Sequence, residues 1–212
     1  AGRGYAPGRN IMVLWRYAGG DVDRLPDLAA ELVEAGVDVI VVDHHKCATD
    51  LPAAFALVNP NRLDEDDGAA FGHLAAVGVA WLLGAAIIRH LRGVGHFADR
   101  PEPKLLELLD IVALGTVADV ASLRGLNRAF VSQGLKIMAG RRNIGLDALI
   151  TASRLKRAPI CSDLGFALGP RINAGGRVGK SDLGVRLLTT NDPIEAREIA
   201  EELDRLNTER RA

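Results

Sequence analysis

The sequence predicts an α/β fold in which a doubly wound, mainly parallel sheet is followed by a mostly helical connecting segment. Two β-branched, apolar runs, at residues 37–42 and 111–114, support the sheet. Such runs are typical of strands that are buried on both faces of a parallel sheet. Helical spacing of apolar residues between these runs predicts the alternation of strands and helices of a doubly wound domain. The last third of the chain has helical patterns only.

The remaining elements follow from spacing and from glycine and proline breaks. Apolar residues from about position 25 predict a first helix that ends at Gly36. A loop containing Asn59, Pro60 and Asn61 separates the strand at 37–42 from the next helix. Further helices are expected at about 71–91, 127–138, 143–155, 162–168 and 193–211, with a glycine- and arginine-rich loop over 169–179.

Three parts are predicted along the chain. Residues 1–21 match no clear pattern. Three explanations of this segment remain open: a divergent segment, an artefact or a frame error. Residues 22–140 form the α/β core, and residues 141–212 form the helical segment. The chain has no initiator methionine and its last helical pattern runs to the end. Both ends of the chain therefore look cut.

Composition limits the classes of function. The formal net charge is −1, so no general basic field favours nucleic acid, and any such site must be a local patch. Cys47 and Cys161 are far apart and form no CxxC motif, which argues against a zinc knuckle or disulfide framework and suits the reducing cytoplasm. The longest apolar run, at 74–88, is short for a membrane span and contains glycines. We expect a cytoplasmic protein without a membrane segment or signal peptide.

A polar cluster, Asp43, His44 and His45, directly follows the first predicted strand. Open α/β sheets place their ligand crevices at the carboxyl ends of the strands. One carboxylate and two imidazoles suit Mn²⁺ or a similar divalent ion better than Ca²⁺. A strand-end turn with two solvated histidines explains the same three residues, so the motif leaves both interpretations open.

Asp119 is predicted to lie just past the second strand, after a glycine turn. Polar groups at two strand ends can converge on one crevice, although Asp119 also suits the N-cap of a following helix. In the predicted loop, Arg171, Asn173 and Arg177 could offer guanidinium and backbone N–H groups to a phosphate. Solvated arginines on a surface loop are the alternative.

Taken together, four segments carry a resemblance to a known family. The segments read VVDHH, ALGTVADVASLRGLNR, FALGPRINAGGRVG and AEELDRLNTERR. In this order and approximate spacing, they resemble the RecJ family of the DHH phosphoesterase superfamily over roughly residues 22–212. DHH alone is shared with inorganic pyrophosphatases and oligonucleotide phosphodiesterases, whereas GTVAD and PRINAGGR look specifically RecJ-like.

The resemblance implies a two-metal site with Mn²⁺ or Mg²⁺ and 5′-to-3′ degradation of single-stranded DNA, in DNA repair and recombination. It implies that His44 and Asp119 are metal ligands, that His45 faces the scissile phosphate and that Asp43 supports the pair. Arg171, Asn173 and Arg177 would then lie near the nucleic acid. A single-strand-binding protein and a helicase are the implied partners.

The chain departs from the family's pattern at both ends. The first family motif, an Asp-x-Asp pair, is absent, and the second falls at Gly19-Gly20-Asp21, where Asp21 or Asp23 would stand in as metal ligand. The family's later Gly-Gly-His domain would begin beyond Ala212. With about half of the expected site, the chain itself is predicted to be poorly active. An oligoribonucleotide or dinucleotide phosphodiesterase and a catalytically inactive scaffold remain the alternatives.

Overall fold

The computed structural model describes residues 31–211 apart from positions 33, 37, 53, 65–67 and 179–181, and it leaves out the side chains of residues 177, 178 and 211. The predictions for residues 1–21, including Asp21, lie outside the described residues, as does Asp23. Residues 31, 32 and 34 are helical. Gly36 follows with φ of +74°, a left-handed conformation that favours glycine, so the predicted end of the first helix is confirmed.

Two short strands pair in parallel. Strand β1 spans Ile40–Val42 and strand β2 spans Ala56–Val58, with Ile40 opposite Ala56 and Val42 opposite Val58. The parallel pairing that the first β-branched run predicts is therefore confirmed. Strand β2 was wrongly predicted as loop, because three residues beside Asn59-Pro60 are too short to show a periodicity.

The helices of the described residues account for most of the fold. In chain order they are α1 Ala76–Gly93, α2 Leu109–Ala118, α3 Gly125–Ala139, α4 Ile144–Ala152, α5 Cys161–Asp163, α6 Gly169–Val178, α7 Leu183–Thr189 and α8 Pro193–Arg211. Two 3₁₀ turns, Ala69–Phe71 and Leu105–Leu108, precede α1 and α2, and a π-helix, Leu164–Leu168, joins α5 to α6.

The second predicted strand, at residues 111–114, is wrong, because these residues lie inside helix α2. The helix is buried on several sides: Leu109, Val112, Ala113 and Leu114 are each at most 5% exposed. A helix that is apolar all round has the same short run of apolar residues as a strand buried on both faces. Asp119 therefore caps the carboxyl end of a helix, and it follows no strand and begins no helix.

The predicted loop at 169–179 is also wrong, since residues 169–178 form helix α6. Pro170 lies in the first turn, where a missing N–H costs little. Gly169 packs so closely on α2 that a Cβ there would come within 2.9 Å of the Cβ of Ala118. Small residues in this segment therefore serve helix packing, where the sequence suggested a flexible loop.

Buried apolar residues form two clusters. One cluster joins Leu114 of α2 and Met138 of α3 to the later helices, including Leu168 and Leu203. It crosses residue 140, so the predicted helical segment packs directly on the predicted core; the domain boundaries themselves stay a prediction. The other cluster joins α1, α2 and α3 through Val79, Val112 and Phe130, with Val42 of β1 packed against it. Strand β1 thereby packs on the cluster that α1, α2 and α3 share.

Within the described part of the chain, one helix is long and apolar enough to cross a membrane by length and composition alone. That helix is α1, residues Ala76–Gly93. Core helices of other proteins pass the same test, and 17% of this helix is buried, including Val79 and Ile88.

Candidate metal centre

The loop after β1 and the carboxyl end of α2 meet at two polar side chains. His44 Nε2 lies 3.2 Å from Asp119 Oδ2. The His44 side chain is 18% exposed and that of Asp119 is 40% exposed. The two side chains were predicted to approach within the few ångströms needed to share a divalent ion, and the structure brings them to that distance.

Asp43 organises the same loop as a hydrogen-bond acceptor. Its Oδ1 accepts hydrogen bonds from the backbone N–H of His44 at 2.7 Å, from that of His45 at 3.3 Å and from His45 Nδ1 at 2.8 Å. Partial burial raises the pKa of Asp43, but the hydrogen bonds from the His45 ring and from the two backbone N–H groups together outweigh it and hold that pKa below its usual value. Asp43 is therefore ionised at neutral pH and fixes the orientation of the His45 ring.

The donor atoms of the three-residue motif are close enough to bind one ion. One ligand atom each from Asp43, His44 and His45 lies within 4.8 Å of the others, and the two imidazole rings have centroids 4.3 Å apart. Because imidazole nitrogen and carboxylate oxygen are both available, the set fits Mn²⁺ better than Mg²⁺, which prefers oxygen ligands alone.

Two asparagines, to which no role was assigned from the sequence, bind the backbone carbonyl groups of the motif. Asn61 Nδ2 donates to the carbonyl oxygens of His44 at 2.6 Å and of Gly72 at 3.0 Å. Asn59 Nδ2 donates to the carbonyl oxygen of His45 at 2.9 Å and contacts Cys47 Sγ at 3.1 Å. Asn59 directly follows the carboxyl end of β2 and Asn61 lies two residues further on, so both would have been candidates, as Asp43 was after β1, if β2 had been recognised.

A third asparagine anchors the segment that follows Asp119. Asn127 is fully buried and donates to the carbonyl oxygens of His73 at 2.6 Å and of Ser122 at 3.0 Å. The bond to Ser122 holds the segment after Asp119, and the bond to His73 ties it to the chain just before α1. The sequence offered little signal for this residue, because an asparagine inside an amphipathic helix is ordinarily solvated.

The predicted phosphate-binding residues lie on α6. Arg171 Nε donates to Asp204 Oδ1 of α8 at 2.8 Å, its Nη2 lies 2.7 Å from the same oxygen, and its Nη1 donates to the carbonyl of Ala167 at 2.7 Å. Asn173 is exposed, and the side chain of Arg177 lies outside the described residues. Arg171 thus has the half-buried ion pair that a structural role would require, while the phosphate role of all three residues stays a prediction.

Comparisons with known proteins bear on this arrangement. No family model matches the chain. The chain is 50% identical over 182 residues to the single-stranded-DNA-specific exonuclease RecJ of Dickeya dadantii, with 83% of this chain and 31% of that protein covered. The RecJ of Bacillus subtilis is 38% identical over 180 residues, with 84% of this chain and 21% of that protein covered. The chain is RecJ-like.

Solved RecJ structures extend the likeness to the fold. A crystal structure of exonuclease RecJ bound to manganese matches with a TM-score of 0.67 and 35% identity, and it covers 88% of this chain and 44% of that one. RecJ from Thermus thermophilus in complex with Mn²⁺ matches with a TM-score of 0.66 and 36% identity, over 87% of this chain and 26% of that one. The predicted fold class, an α/β core followed by helices, is confirmed. The chain spans about a third of the length of the Dickeya relative.

Proposed function

We propose that this RecJ-like chain holds a divalent metal ion and takes part in hydrolysing single-stranded DNA from its 5′ end. The observation that carries the proposal is the contact between His44 and Asp119, 3.2 Å apart although they are 75 positions apart in the sequence. Such a contact is what shared ligation requires. RecJ relatives are named single-stranded-DNA-specific exonucleases, which supports the same substrate here.

His44 and Asp119 would hold the ion, and Asp21, outside the described residues, is proposed as a further ligand. The donor set fits Mn²⁺, and two solved relatives have manganese bound. When bound, the metal supplies charge stabilisation and a more acidic water to the displacement at phosphorus. Asn61 holds the backbone of His44 and Asn127 holds the segment after Asp119, so the two ligands keep their places without the ion.

His45 is proposed as the catalytic histidine that faces the scissile phosphate. Its side chain is 76% exposed, and Nδ1 is bound to the ionised Asp43. A carboxylate only accepts, so Nδ1 carries the proton and Nε2 is the nitrogen left to face the substrate. Through that nitrogen, a protonated His45 can donate to the developing negative charge, and Asp43 stabilises the charged ring.

Nucleic acid would approach along α6. The exposed Asn173 and the neighbouring Arg177 are proposed as phosphate contacts, which position a strand without reading its sequence. Arg171 is proposed as a third contact, in competition with its ion pair to Asp204. A cytoplasmic location and single-strand-binding protein and helicase partners are proposed from the likeness to RecJ, and no described contact bears on them.

Two variants of the protein from the complete reading frame test this function. His45→Ala should leave the dissociation constant for Mn²⁺ nearly unchanged, because the proposed ligands are His44 and Asp119 and Nδ1 of His45 is bonded to Asp43. It should lower the hydrolysis of 5′-labelled single-stranded DNA by a factor of about 100 or more. Asp119→Asn should weaken Mn²⁺ binding and lower hydrolysis together. His90→Ala, an exposed histidine on α1, is the matched control and should change neither.

Other outcomes contradict the proposal in distinct ways. Full activity of His45→Ala would remove that residue from the catalytic site. Undiminished Mn²⁺ binding by Asp119→Asn would show that the pair with His44 is only a structural contact. Faster hydrolysis of an RNA strand than of the DNA strand of the same sequence would change the substrate to RNA.

A further inference from the structure

The carboxyl end of helix α2 has an unusual residue next to the proposed ligand Asp119. The N–H of Val120 bonds to the carbonyl of Val117 at 3.1 Å, and that of Ala121 bonds to the carbonyl of Thr116 at 3.2 Å. These two bonds define a Schellman motif, in which the residue after the C-cap has a left-handed conformation and is usually glycine. Here that residue is Val120, with φ of +56°. A β-branched residue rarely adopts this conformation, and the strain costs on the order of 1–3 kcal/mol.

The side chain of Val120 gains no packing in return for that strain. It is 90% exposed, the highest value among the large hydrophobic residues that the structure describes. Strained backbone that is not compensated by packing is a mark of functional sites. Because of this conformation, an aliphatic side chain is exposed to solvent directly beside the proposed metal centre. A glycine at this position would end the helix without strain.

A second exposed apolar side chain, Phe166, lies on the element that packs against the same helix end. Phe166 is 84% exposed and belongs to the π-helix Leu164–Leu168. A Cβ on the adjacent Gly165 would come within 3.4 Å of the Val117 side chain, so this π-helix lies against the last turn of α2. π-helical segments occur frequently at functional sites. Exposed apolar residues occur elsewhere in the described chain, but Val120 directly follows the last turn of α2 and Phe166 lies on the π-helix that packs against that turn.

We propose that Val120 and Phe166 form an apolar rim that binds the nucleoside part of a single-stranded nucleic acid whose phosphate is at the metal centre. Phe166 stacks on a base, and Val120 contacts a sugar. An aromatic face accepts every base, so this subsite is not sequence-specific, as degradation of arbitrary strands requires. This inference rests on the proposed function, which places a phosphate at the metal centre. A nucleoside is the expected occupant of the rim because Val120 is the residue next to Asp119.

Binding measurements separate the rim from the catalytic function. The protein from the complete reading frame is loaded with Mn²⁺ and titrated with a phosphorothioate oligothymidylate, or with the same backbone carrying abasic residues. Phe166→Ala should weaken binding of the oligothymidylate about 10-fold, equivalent to about 1.4 kcal/mol, and leave binding of the abasic strand unchanged. Equal losses on both strands, or no loss on either, would overturn the stacking role.

Val120→Gly tests the strained residue against Arg154→Gly. Arg154 has φ of +58° and ends helix α4 with the same two bonds, from its own N–H to Thr151 and from Leu155 to Ile150, away from Asp119. Both glycine variants should raise the melting temperature, because both remove left-handed strain. Only Val120→Gly should weaken binding, about 4-fold on both strands, the value of roughly one buried CH₂ group. A lower melting temperature for Val120→Gly would show that the valine packs against another part of the protein. Unchanged binding would remove Val120 from the rim.

The failure of the proposed function has a different signature. In that case, the wild-type protein would not hydrolyse an ordinary oligothymidylate with Mn²⁺ present, whatever the rim variants do. If the wild-type protein does not bind the oligothymidylate at all, the proposal of an apolar rim is wrong.

Discussion

Replacing Asn61 should damage the proposed metal centre without touching a ligand. Asn61→Ala removes the hydrogen bonds to the carbonyl oxygens of His44 and Gly72, at 2.6 and 3.0 Å. At a net value of about 1 kcal/mol for each bond, the free energy of unfolding should fall by about 2 kcal/mol. His44 also loses the bond that holds its backbone. Loss of such a supporting group typically weakens metal binding 10- to 100-fold, so we expect a fall within that range.

Asn143→Ala is the matched control. Asn143 accepts a hydrogen bond from the Leu146 N–H at 2.9 Å and donates to the Leu188 carbonyl at 3.2 Å, in the helical part of the chain. Its loss should cost about 1–2 kcal/mol of stability and leave Mn²⁺ binding unchanged. Urea unfolding gives the stability and isothermal titration gives the dissociation constant. Equal Mn²⁺ affinity of the two variants, at matched stability, would refute the positioning role of Asn61.

Three further predictions concern the parts that surround the centre. Arg171→Ala and Asp204→Ala should each lower the free energy of unfolding by about 1–2 kcal/mol, and a double-mutant cycle should give a coupling energy near 1 kcal/mol. If Arg171→Ala binds single-stranded DNA with wild-type affinity and wild-type salt dependence, Arg171 does not contact phosphate. Burial raises the pKa of Asp110 more than its backbone hydrogen bonds lower it, so the folded state holds this proton more tightly than the unfolded chain does. Asp110→Asn should therefore raise the free energy of unfolding at pH 7. This gain should shrink as the pH falls through the folded-state pKa of Asp110, and it should be absent below 3.8, the ordinary pKa of an aspartate. Thermal melting across this pH range measures it. Asn127→Leu leaves the carbonyls of His73 and Ser122 without their donor, which should cost about 1–3 kcal/mol in urea unfolding and weaken Mn²⁺ binding; unchanged binding would limit Asn127 to a structural role.

The first strand could be predicted because its sequence pattern has a single interpretation. The β-branched run that ends at Val42 predicted a strand with polar residues at its carboxyl end, and the structure has both. The run at 111–114 could have been either a buried strand or a buried helix, and the choice depended on neighbours that no local pattern contains. Likewise, the glycines of 169–176 suggested a flexible loop, although Gly169 is small because it packs on Ala118.

Some residues of the candidate site could likewise be selected from the sequence, and others could not. Asp43 and His44 were selected because polar side chains directly follow a predicted strand, whereas the ligand roles of His44 and Asp119 came from the resemblance to the RecJ family. The structure brings His44 and Asp119 together, and their metal role stays a prediction. The asparagines that support them were missed, since an amide gives no signal until its partner carbonyls are known. Arg171 shows the opposite case: its charge suggested phosphate, but only the three-dimensional structure shows Asp204 of α8 beside it.

The measurement that tests the central claim most directly is pulsed electron paramagnetic resonance of Mn²⁺ added to this chain. If His44 and Asp119 hold the ion, the spectrum should show a histidine nitrogen coupled to manganese. That coupling should vanish in His44→Ala and persist in His90→Ala, and the bound-ion signal itself should be lost in Asp119→Asn. A nitrogen coupling that survives in His44→Ala, or Mn²⁺ that stays fully hydrated in the wild type, would contradict the account.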